Sequence, residues 1–247
     1  MIPQQFVKGA GERVFFGQFE YVSGADLIYD FGNPICTSAF NSSRIVYNAG
    51  NANVTGSLIP YNNPGPFYPT LTTDAGGVMI TRAYSGGSNY MEFDYSSSIN
   101  QTSITIFAMN GNQLNPWSSY IPKAPTAGGS YIEMNAYGNT INTGSATLNV
   151  TNIGSTQALN VDVSNGRNGY NQISVQANDS TTHNLYVNQT LTLTDSTNVS
   201  RTNSIATGVR LGLTSNMRIM AFLQYPFILT PKQIRQTYKV FSQRFFT

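Results

Sequence analysis

Short apolar or alternating runs recur along the chain, separated by clusters of Gly, Pro, Asn and Ser. Each run is about 4–8 residues long and rich in Val, Ile, Thr, Tyr and Phe, which is typical of β-strands. The run Thr102–Met109 alternates clearly: Ile104 and Ile106 share one face. Thr105 and Phe107 share the other. The predicted strands are Val14–Phe19, Leu27–Phe31, Arg44–Tyr47, Val78–Arg82, Tyr90–Tyr95, Ser103–Met109, Tyr131–Asn135, Ala146–Val150, Ala158–Val163, Gln172–Ala177, Asn184–Val187, Val209–Leu213 and Arg218–Tyr225. About a dozen strands with turn signals between them predict a two-sheet sandwich or jelly roll.

The C-terminal segment has helical periodicity. Thr230 and Gln233 fit a capping box around Pro231, a residue favoured at the first helical position. An apolar stripe at helical spacing follows, made of Ile234, Tyr238, Phe241 and Phe245. We therefore expect a C-terminal α-helix whose apolar stripe lies against the outer surface of a β-sheet.

Composition narrows the class of protein. The chain has 247 residues, of which 12% are aromatic, 10% are charged and one is Cys. A single Cys excludes an intrachain disulfide framework, and the low charge content argues against a coiled coil. The apolar fraction of 40% is enough for a folded core. The balance of 13 basic and 11 acidic residues gives no strong positive field, which argues against nucleic-acid binding.

Charge is distributed unevenly along the chain. From Ser196 onward there are seven basic residues and no acidic ones, whereas the first 195 residues hold six basic and eleven acidic ones. Two interpretations stay open. In the first, the acidic and the basic part balance each other's charge within one domain. In the second, the basic part faces an acidic neighbouring chain.

The sequence shows no membrane or export signal. No apolar run reaches the length of about 18 residues that a transmembrane helix needs. Residues Met1–Lys8 lack the basic-then-apolar order of a signal peptide. We expect synthesis in a cytoplasm, no export by the general route and no membrane insertion.

Several segments resemble, in order and spacing, the laminin-G-like or concanavalin A-like jelly rolls of bacteriophage virion proteins. They are ADLIYDFGNPICTS (Ala25–Ser38), NANVTGSL (Asn51–Leu58), GGSNYMEFDYSS (Gly86–Ser97), TSITIFAMN (Thr102–Asn110), HNLYVNQ (His183–Gln189) and MAFLQYPFILTPKQIRQTYKVFSQRF (Met220–Phe245). The resemblance implies an all-β, two-sheet antiparallel jelly-roll sandwich (concanavalin A-like) with one C-terminal α-helix. It places this domain at residues 25–247, after an N-terminal arm and strand at residues 1–24.

The sequence departs from the family pattern at two places. Gln189 stands where the hairpin usually has Gly, so a simple type I′ turn is not expected there. The Asp-rich segment that usually follows the first strand is replaced by Ala39–Asn51. The resemblance therefore carries no metal site over to this chain.

Glu92 and Asp94 are the leading candidates for catalytic chemistry. Residues i and i+2 of a strand share a face, so both carboxylates would point the same way, as in related jelly-roll glucanases. The third carboxylate of those enzymes has no counterpart, because Tyr95, Ser96 and Ser97 follow. We predict a polar strand face and no enzyme, with a glycoside hydrolase as a remote alternative.

The other reactive residues form no catalytic or metal-binding pattern. His183, the sole His, lacks a Gly-x-Ser-x-Gly partner and is interpreted as a surface residue entering a strand, and Cys36 lies in a distant turn-like stretch. One His and one Cys cannot build a zinc site. Asp162, Asp179 and Asp195 are scattered, unlike the ligands of a calcium loop. We predict no cofactor and no metal.

Aromatic residues in two Pro-rich loops, Ile59–Tyr68 and Asn115–Gly129, are candidate binding residues. Three alternatives stay open: they pin their own loops, they pack against another subunit, or they stack on sugar rings. The residues are Tyr61, Phe67, Tyr68, Trp117 and Tyr120.

The composition and the resemblance together predict a non-enzymatic bacteriophage virion protein, namely a fibre, decoration or tail-associated subunit made in the host cytoplasm. Its partners would be copies of itself and other virion proteins. The alternative is a carbohydrate-binding module that recognises a glycan on the host surface. We expect Val14–Phe19 to belong to the sandwich. We expect Met1–Gly11, with Phe6 and Val7 as anchors, to make the assembly contact.

Overall fold

The computed structural model describes residues 15–16, 19–62, 64–72, 77–84, 87–95, 97–98, 102–110, 117–122, 134–138, 145–152, 155–162, 170–177, 183–187, 189–195, 205–206, 209–212 and 217–245. Its strands are β1 (Phe15–Phe16), β2 (Phe19–Glu20), β3 (Leu27–Asp30), β4 (Ile45–Tyr47), β5 (Thr55–Ile59), β6 (Thr70–Thr72), β7 (Val78–Thr81), β8 (Ala83–Tyr84), β9 (Gly87–Ser88), β10 (Tyr90–Phe93), β11 (Ser97–Ser98), β12 (Thr102–Asn110), β13 (Trp117–Pro122), β14 (Met134–Gly138), β15 (Ser145–Asn152), β16 (Ser155–Asp162), β17 (Tyr170–Ala177), β18 (His183–Val187), β19 (Thr190–Asp195), β20 (Ile205–Ala206), β21 (Val209–Leu211) and β22 (Met217–Tyr225). Its helices are α1 (Pro34–Thr37) and α2 (Pro231–Phe245).

Most of these strands belong to two antiparallel sheets. Sheet I has the strand order β16-β15-β14-β13-β21-β10-β5-β4. Sheet II has the order β19-β18-β17-β12-β22-β7-β6. Strand β22 also pairs with β3, which lies beside Ala221–Gln224, whereas β7 lies beside Met217–Ile219. The predicted two-sheet antiparallel sandwich with a C-terminal helix is confirmed.

Aromatic rings fill the space between the two sheets. Tyr29 and Phe222 lie opposite each other on β3 and β22 of sheet II, and Phe93 lies on β10 of sheet I. The Phe93 ring centroid is 5.0 Å from that of Tyr29 and 5.5 Å from that of Phe222. All three side chains are buried. Because large aromatic rings dominate the energetics of a core, this contact is central to holding the sheets together.

Helix α2 begins with the predicted capping box. Gln233 N donates to Thr230 Oγ1 at 3.3 Å, and Thr230 N donates to Gln233 Oε1 at 2.8 Å. Two backbone N–H groups of the helix start, which have no partner within the helix, are satisfied in this way. Position 231, directly after the cap, is Pro, as expected for a first helical residue.

The apolar stripe of α2 packs on sheet II. Ile234 and Phe241 are fully buried, and Tyr238 is partly buried. Their cluster includes the β22 residues Met220, Ala221, Leu223 and Tyr225. The predicted packing of the stripe is therefore confirmed for Ile234, Tyr238 and Phe241. The side chain of Phe245 lies outside what the structure describes.

Strand β12 carries polar residues on a face that is nevertheless buried. Ser103 and Thr105 are both fully buried. Ser103 Oγ donates to the carbonyl of Phe227 and accepts from the N–H of Leu229, each at 2.9 Å. This hydroxyl therefore fixes the segment that connects β22 to α2.

The N-terminal apolar run differs from its prediction as one strand. It forms the two short strands β1 and β2, which pair with Phe16 opposite Phe19. Tyr21 and Val22, directly after β2, lie in the same buried cluster as α2.

The second Pro-rich loop also differs from its prediction. Residues Trp117–Pro122 form strand β13, which pairs with β14 and β21. Pro122 is the last residue of this strand. Its missing N–H therefore leaves the interior of the strand intact, which explains why Pro-rich composition was a poor guide here.

The turn-like stretch around Cys36 is a short helix. The carboxamide of Asn33 caps α1, because its Oδ1 accepts from the N–H of Ile35 at 2.9 Å. Cys36 is fully buried within this helix, with Sγ 3.6 Å from the carbonyl oxygen of Ile28. Its thiol therefore belongs to the core.

Candidate functional site

Strands β4, β5, β10 and β21 of sheet I have exposed or half-buried side chains on the face that points away from the core. Along β5, the exposed Thr55 and Ser57 alternate with the buried Gly56 and Leu58. Strands β10 and β21 alternate between buried and half-buried side chains in the same way. The outer face therefore carries side chains that can contact a ligand without disturbing the core.

A row of polar side chains crosses this outer face. Ser57 lies opposite Glu92, which in turn lies opposite Arg210. Arg210 Nε donates to Glu92 Oε2 at 3.4 Å, and the guanidinium carbon lies 5.3 Å from the centre of the Tyr90 ring. The two side chains of the ion pair are 31% and 19% exposed, so the pair contributes only about 0–1 kcal/mol. Its main effect is to hold Arg210 and Glu92 in a fixed orientation.

Residues 61–62 and 64–68 (the aromatic loop) follow β5, and Tyr61 and Phe67 pair with each other. Tyr61 N donates to the carbonyl of Phe67 at 3.0 Å, and Phe67 N donates to that of Tyr61 at 2.8 Å. The buried Asn89 adds a third bond, from Nδ2 to the Phe67 carbonyl at 3.2 Å. Asn89 Oδ1 also accepts from Arg82 N at 2.6 Å. The loop is thus anchored to the segment that leads into β10.

The three aromatic side chains of the loop have different surroundings. The Tyr61 ring lies directly on Gly87, where an added Cβ would come within 2.6 Å of the ring. The half-buried Tyr68 lies beneath Arg44, whose guanidinium carbon is 4.5 Å from the ring centre. Phe67, in contrast, is 44% exposed. Tyr61 and Tyr68 therefore pin the loop, and Phe67 faces solvent.

The structure separates the two groups of predicted aromatic residues. Trp117 and Tyr120 lie on β13, and β21 lies between that strand and β10. Their side chains are outside what the structure describes, as are the whole residues Phe6 and Val7. The roles predicted for these four residues stay predictions.

The two candidate carboxylates have different surroundings. Glu92 is in the ion pair with Arg210, and the exposed Asp94 follows the last residue of β10. Only one of the two carboxylates therefore lies within the strand. This arrangement supports the interpretation of a polar strand face.

The remaining candidates are dispersed. His183 begins β18 opposite Asp195 at the end of β19, whereas Asp162 ends β16 at the far edge of the other sheet. Asp179 lies outside the described residues. Within the part of the chain that the structure describes, no three His, Cys, Asp or Glu residues are grouped as a metal would require. Neither described helix is long and apolar enough to cross a membrane.

Three further residues of the candidate site are not predicted from the sequence: Arg44, Tyr90 and Arg210. The alternation of β10 and β21 was a usable signal, since it puts Tyr90 and Arg210 on the outer face. Arg44 had no such signal, because the Tyr68 ring beneath it is distant in sequence.

No family model matches the sequence, and no curated protein matches it. Among solved structures, the fold is similar to the binding domain of botulinum neurotoxin DC in complex with rat synaptotagmin II, at 11% identity and a TM-score of 0.64. It is also similar to the receptor-binding domain of the botulinum neurotoxin C/D mosaic serotype, at 13% identity and a TM-score of 0.65. A third similar structure is that of botulinum neurotoxin type C, at 13% identity and a TM-score of 0.64. Cell entry of that neurotoxin is described as dependent on interaction with two ganglioside molecules.

Each of these similarities covers 87% of this chain and 51% of the neurotoxin chain. This chain therefore spans about half the length of the structures that it resembles. At this level of identity the similarity shows the β-sandwich fold alone.

Proposed function

We propose that this chain is a non-enzymatic recognition module that binds carbohydrate through the aromatic loop and the adjoining outer face of sheet I. The exposed ring of Phe67 would cover the apolar face of a sugar ring. Exposed polar groups of the loop and the adjoining strand β5, those of Asn62 and Ser57, would hydrogen-bond to the sugar hydroxyls. Carbohydrate binding is the alternative function that the sequence predicts.

The observation that carries this proposal is an exposed aromatic side chain on a fixed backbone. Phe67 exposes 44% of its surface, while its own N–H and carbonyl are bonded to Tyr61 and its carbonyl also to Asn89. Ordering a loop on binding costs free energy, and a loop that is already ordered avoids that cost. An aromatic side chain of this exposure on an ordered backbone therefore favours a binding residue over a residue that pins the loop.

The fold comparison supports the same class of function. The structures that share this fold are described as binding or receptor-binding domains. Fold alone does not determine function, so this similarity adds to the local geometry and does not replace it.

A glycan array tests the proposal. The wild-type chain should bind a subset of glycans, and Phe67→Ala should lose that binding at an unchanged melting temperature. Leu191→Ala is the matched control, because Leu191 is 49% exposed and lies on β19 of sheet II. A wild-type chain that binds no glycan, or a Phe67→Ala variant that binds as well as Leu191→Ala, would overturn the proposal.

We also propose, from the sequence motifs, that this module is carried on a bacteriophage virion. There it would contact copies of itself and other virion proteins through Met1–Gly11. Deletion of these residues should leave a folded, soluble β protein that no longer assembles or enters particles. Normal incorporation of the deletion variant would move the contact elsewhere, and Trp117 would become the next candidate.

A further inference from the structure

Arg44 has a backbone conformation that long side chains rarely adopt. Its φ is 60°, in the left-handed region that favours Gly and Asn. The residue lies between a turn and β4, and its carbonyl accepts from the N–H of Leu58 at 2.9 Å. This conformation is unfavourable for any non-Gly residue, so an arginine at this position calls for an explanation. Unfavourable backbone conformations of this kind concentrate at functional sites.

The side chain of Arg44 is held in place by a ring and by no carboxylate of the described residues. Its guanidinium carbon lies 4.5 Å above the centre of the Tyr68 ring, whereas the other stacked arginine, Arg210, is in the ion pair with Glu92. Stacking uses the flat face of a guanidinium, and its N–H donors point outward along the edge. Arg44 thus presents a fork of donors that matches a carboxylate.

We propose that Arg44 recognises a carboxylate on the ligand, so that the module binds acidic saccharides such as chains that contain uronic acids. This inference rests on the carbohydrate-binding function proposed above. Phe67, next in sequence to Tyr68, covers the sugar ring, and Arg44 binds the carboxylate of the same or the neighbouring sugar. The exposed aromatic ring favours a saccharide over an acidic peptide, because the backbone of such a peptide offers no comparable apolar ring face.

The variant Arg44→Gly separates binding from stability. Glycine relieves the positive φ and keeps the backbone carbonyl that Leu58 uses, so the melting temperature should stay the same or rise. Gln189→Gly is the matched control, because Gln189 is the other described non-Gly residue with a positive φ, at 68°. It lies in the β18–β19 connection of sheet II.

The probes are oligogalacturonates, their uncharged methyl esters and poly-glutamate, each measured by titration calorimetry at low salt. We expect wild type and Gln189→Gly to bind the oligogalacturonate about tenfold or more tightly than the ester, and Arg44→Gly to lose this difference. Arg44→Lys should recover only part of it, because lysine keeps the charge but lacks the planar fork.

Four outcomes would overturn the inference. If wild type binds acid and ester equally, the glycan-binding function stands and the role of Arg44 falls. If poly-glutamate binds as tightly as the oligogalacturonate, the ligand is an acidic peptide. If wild type binds no glycan of either kind, here or on the array, the proposed function fails together with this inference. A lower melting temperature of Arg44→Gly would show that Arg44 has a structural role instead.

Discussion

The carboxamide of Asn48 hydrogen-bonds to the backbone of Ile28 on the edge of strand β3 that does not pair with β22. Asn48 Oδ1 accepts from Ile28 N at 2.7 Å and from Gly50 N at 2.8 Å. Its Nδ2 donates to the carbonyls of Asp26 at 2.8 Å and Ala52 at 2.6 Å. The other edge of β3 pairs with β22. One side chain thus uses its full hydrogen-bonding capacity, and it joins the segment of residues 48–52 to Asp26 and Ile28.

Replacing Asn48 should therefore destabilise the whole domain. Asn48→Ala leaves several part-buried backbone groups without partners, and we expect the free energy of unfolding to fall by about 2–4 kcal/mol. Asn48→Asp keeps the two bonds that Oδ1 accepts and loses the two that Nδ2 donates. Its free energy of unfolding should therefore lie between those of wild type and Asn48→Ala. Urea unfolding measures both variants. The exposed Asn53, replaced by Ala, should change stability by less than about 0.5 kcal/mol, and an equal effect of the Asn48 and Asn53 variants would contradict the assignment.

Two buried tyrosines predict a loss of stability at alkaline pH. Burial raises the pKa of Tyr29 and Tyr225 well above the ordinary value of 10.0. Both phenols stay neutral in the folded protein at pH values where those of the unfolded chain ionise. Their contribution is therefore complete below pH 10 and decreases as the pH rises toward the raised pKa, by up to about 1.4 kcal/mol per pH unit for each group.

The test is Tyr225→Phe, which removes one of these phenols. The slope of unfolding free energy against pH, measured between pH 10 and 11.5, should become less steep. Tyr47→Phe is the control, because Tyr47 lies on the solvent side of β4 and is 41% exposed. Identical slopes for wild type and Tyr225→Phe would refute this origin of the pH dependence.

Helix α2 should contribute strongly to stability through Phe241. This ring is fully buried and lies 5.8 Å from that of Tyr21. Phe241→Ala should lower the free energy of unfolding by about 3–5 kcal/mol. Lys239→Ala, on the exposed side of the same helix, should cost less than about 1 kcal/mol. Similar melting temperatures for the two variants would mean that α2 does not hold sheet II.

Glu92 should have no catalytic role, because we expect no hydrolysis of polysaccharides by this protein. Wild type and Glu92→Gln should both leave β-glucan, alginate and agar uncleaved in a reducing-sugar assay. Because the partner Arg210 is partly exposed, the substitution should change stability by about 1 kcal/mol or less. Hydrolysis by wild type that is abolished in Glu92→Gln would instead establish an enzyme.

The sequence predicted the elements whose signals are local. The α2 cap and stripe lie within 16 residues, 230–245, and were confirmed for the cap and for Ile234, Tyr238 and Phe241. The alternation in β12 predicted which residues share a face, but not that Ser103 and Thr105 would be buried beneath the connection to α2. That burial depends on a segment more than 120 residues away, which no local pattern contains.

The candidate site was predicted only in part for the same reason. Tyr61, Phe67 and Tyr68 were found because aromatics in a Pro-rich loop are conspicuous. Arg44 was not, since the Tyr68 ring on which it stacks lies far from it in sequence. The proline content around Trp117 predicts a loop, whereas the residue lies on strand β13. This strand depends on its pairing with β14 and β21, which no local pattern shows.

The pairing of β3 with β22 has a consequence for how the chain is made. Leu27–Asp30 are synthesised early, but their partners Ala221–Gln224 come almost 200 residues later. At about 5–20 residues per second, translation leaves this apolar segment without its partner for about 10–40 s. Chains dominated by such distant pairings also fold slowly. Until β22 emerges from the ribosome, β3 is therefore exposed to aggregation, and slower translation would lengthen this period.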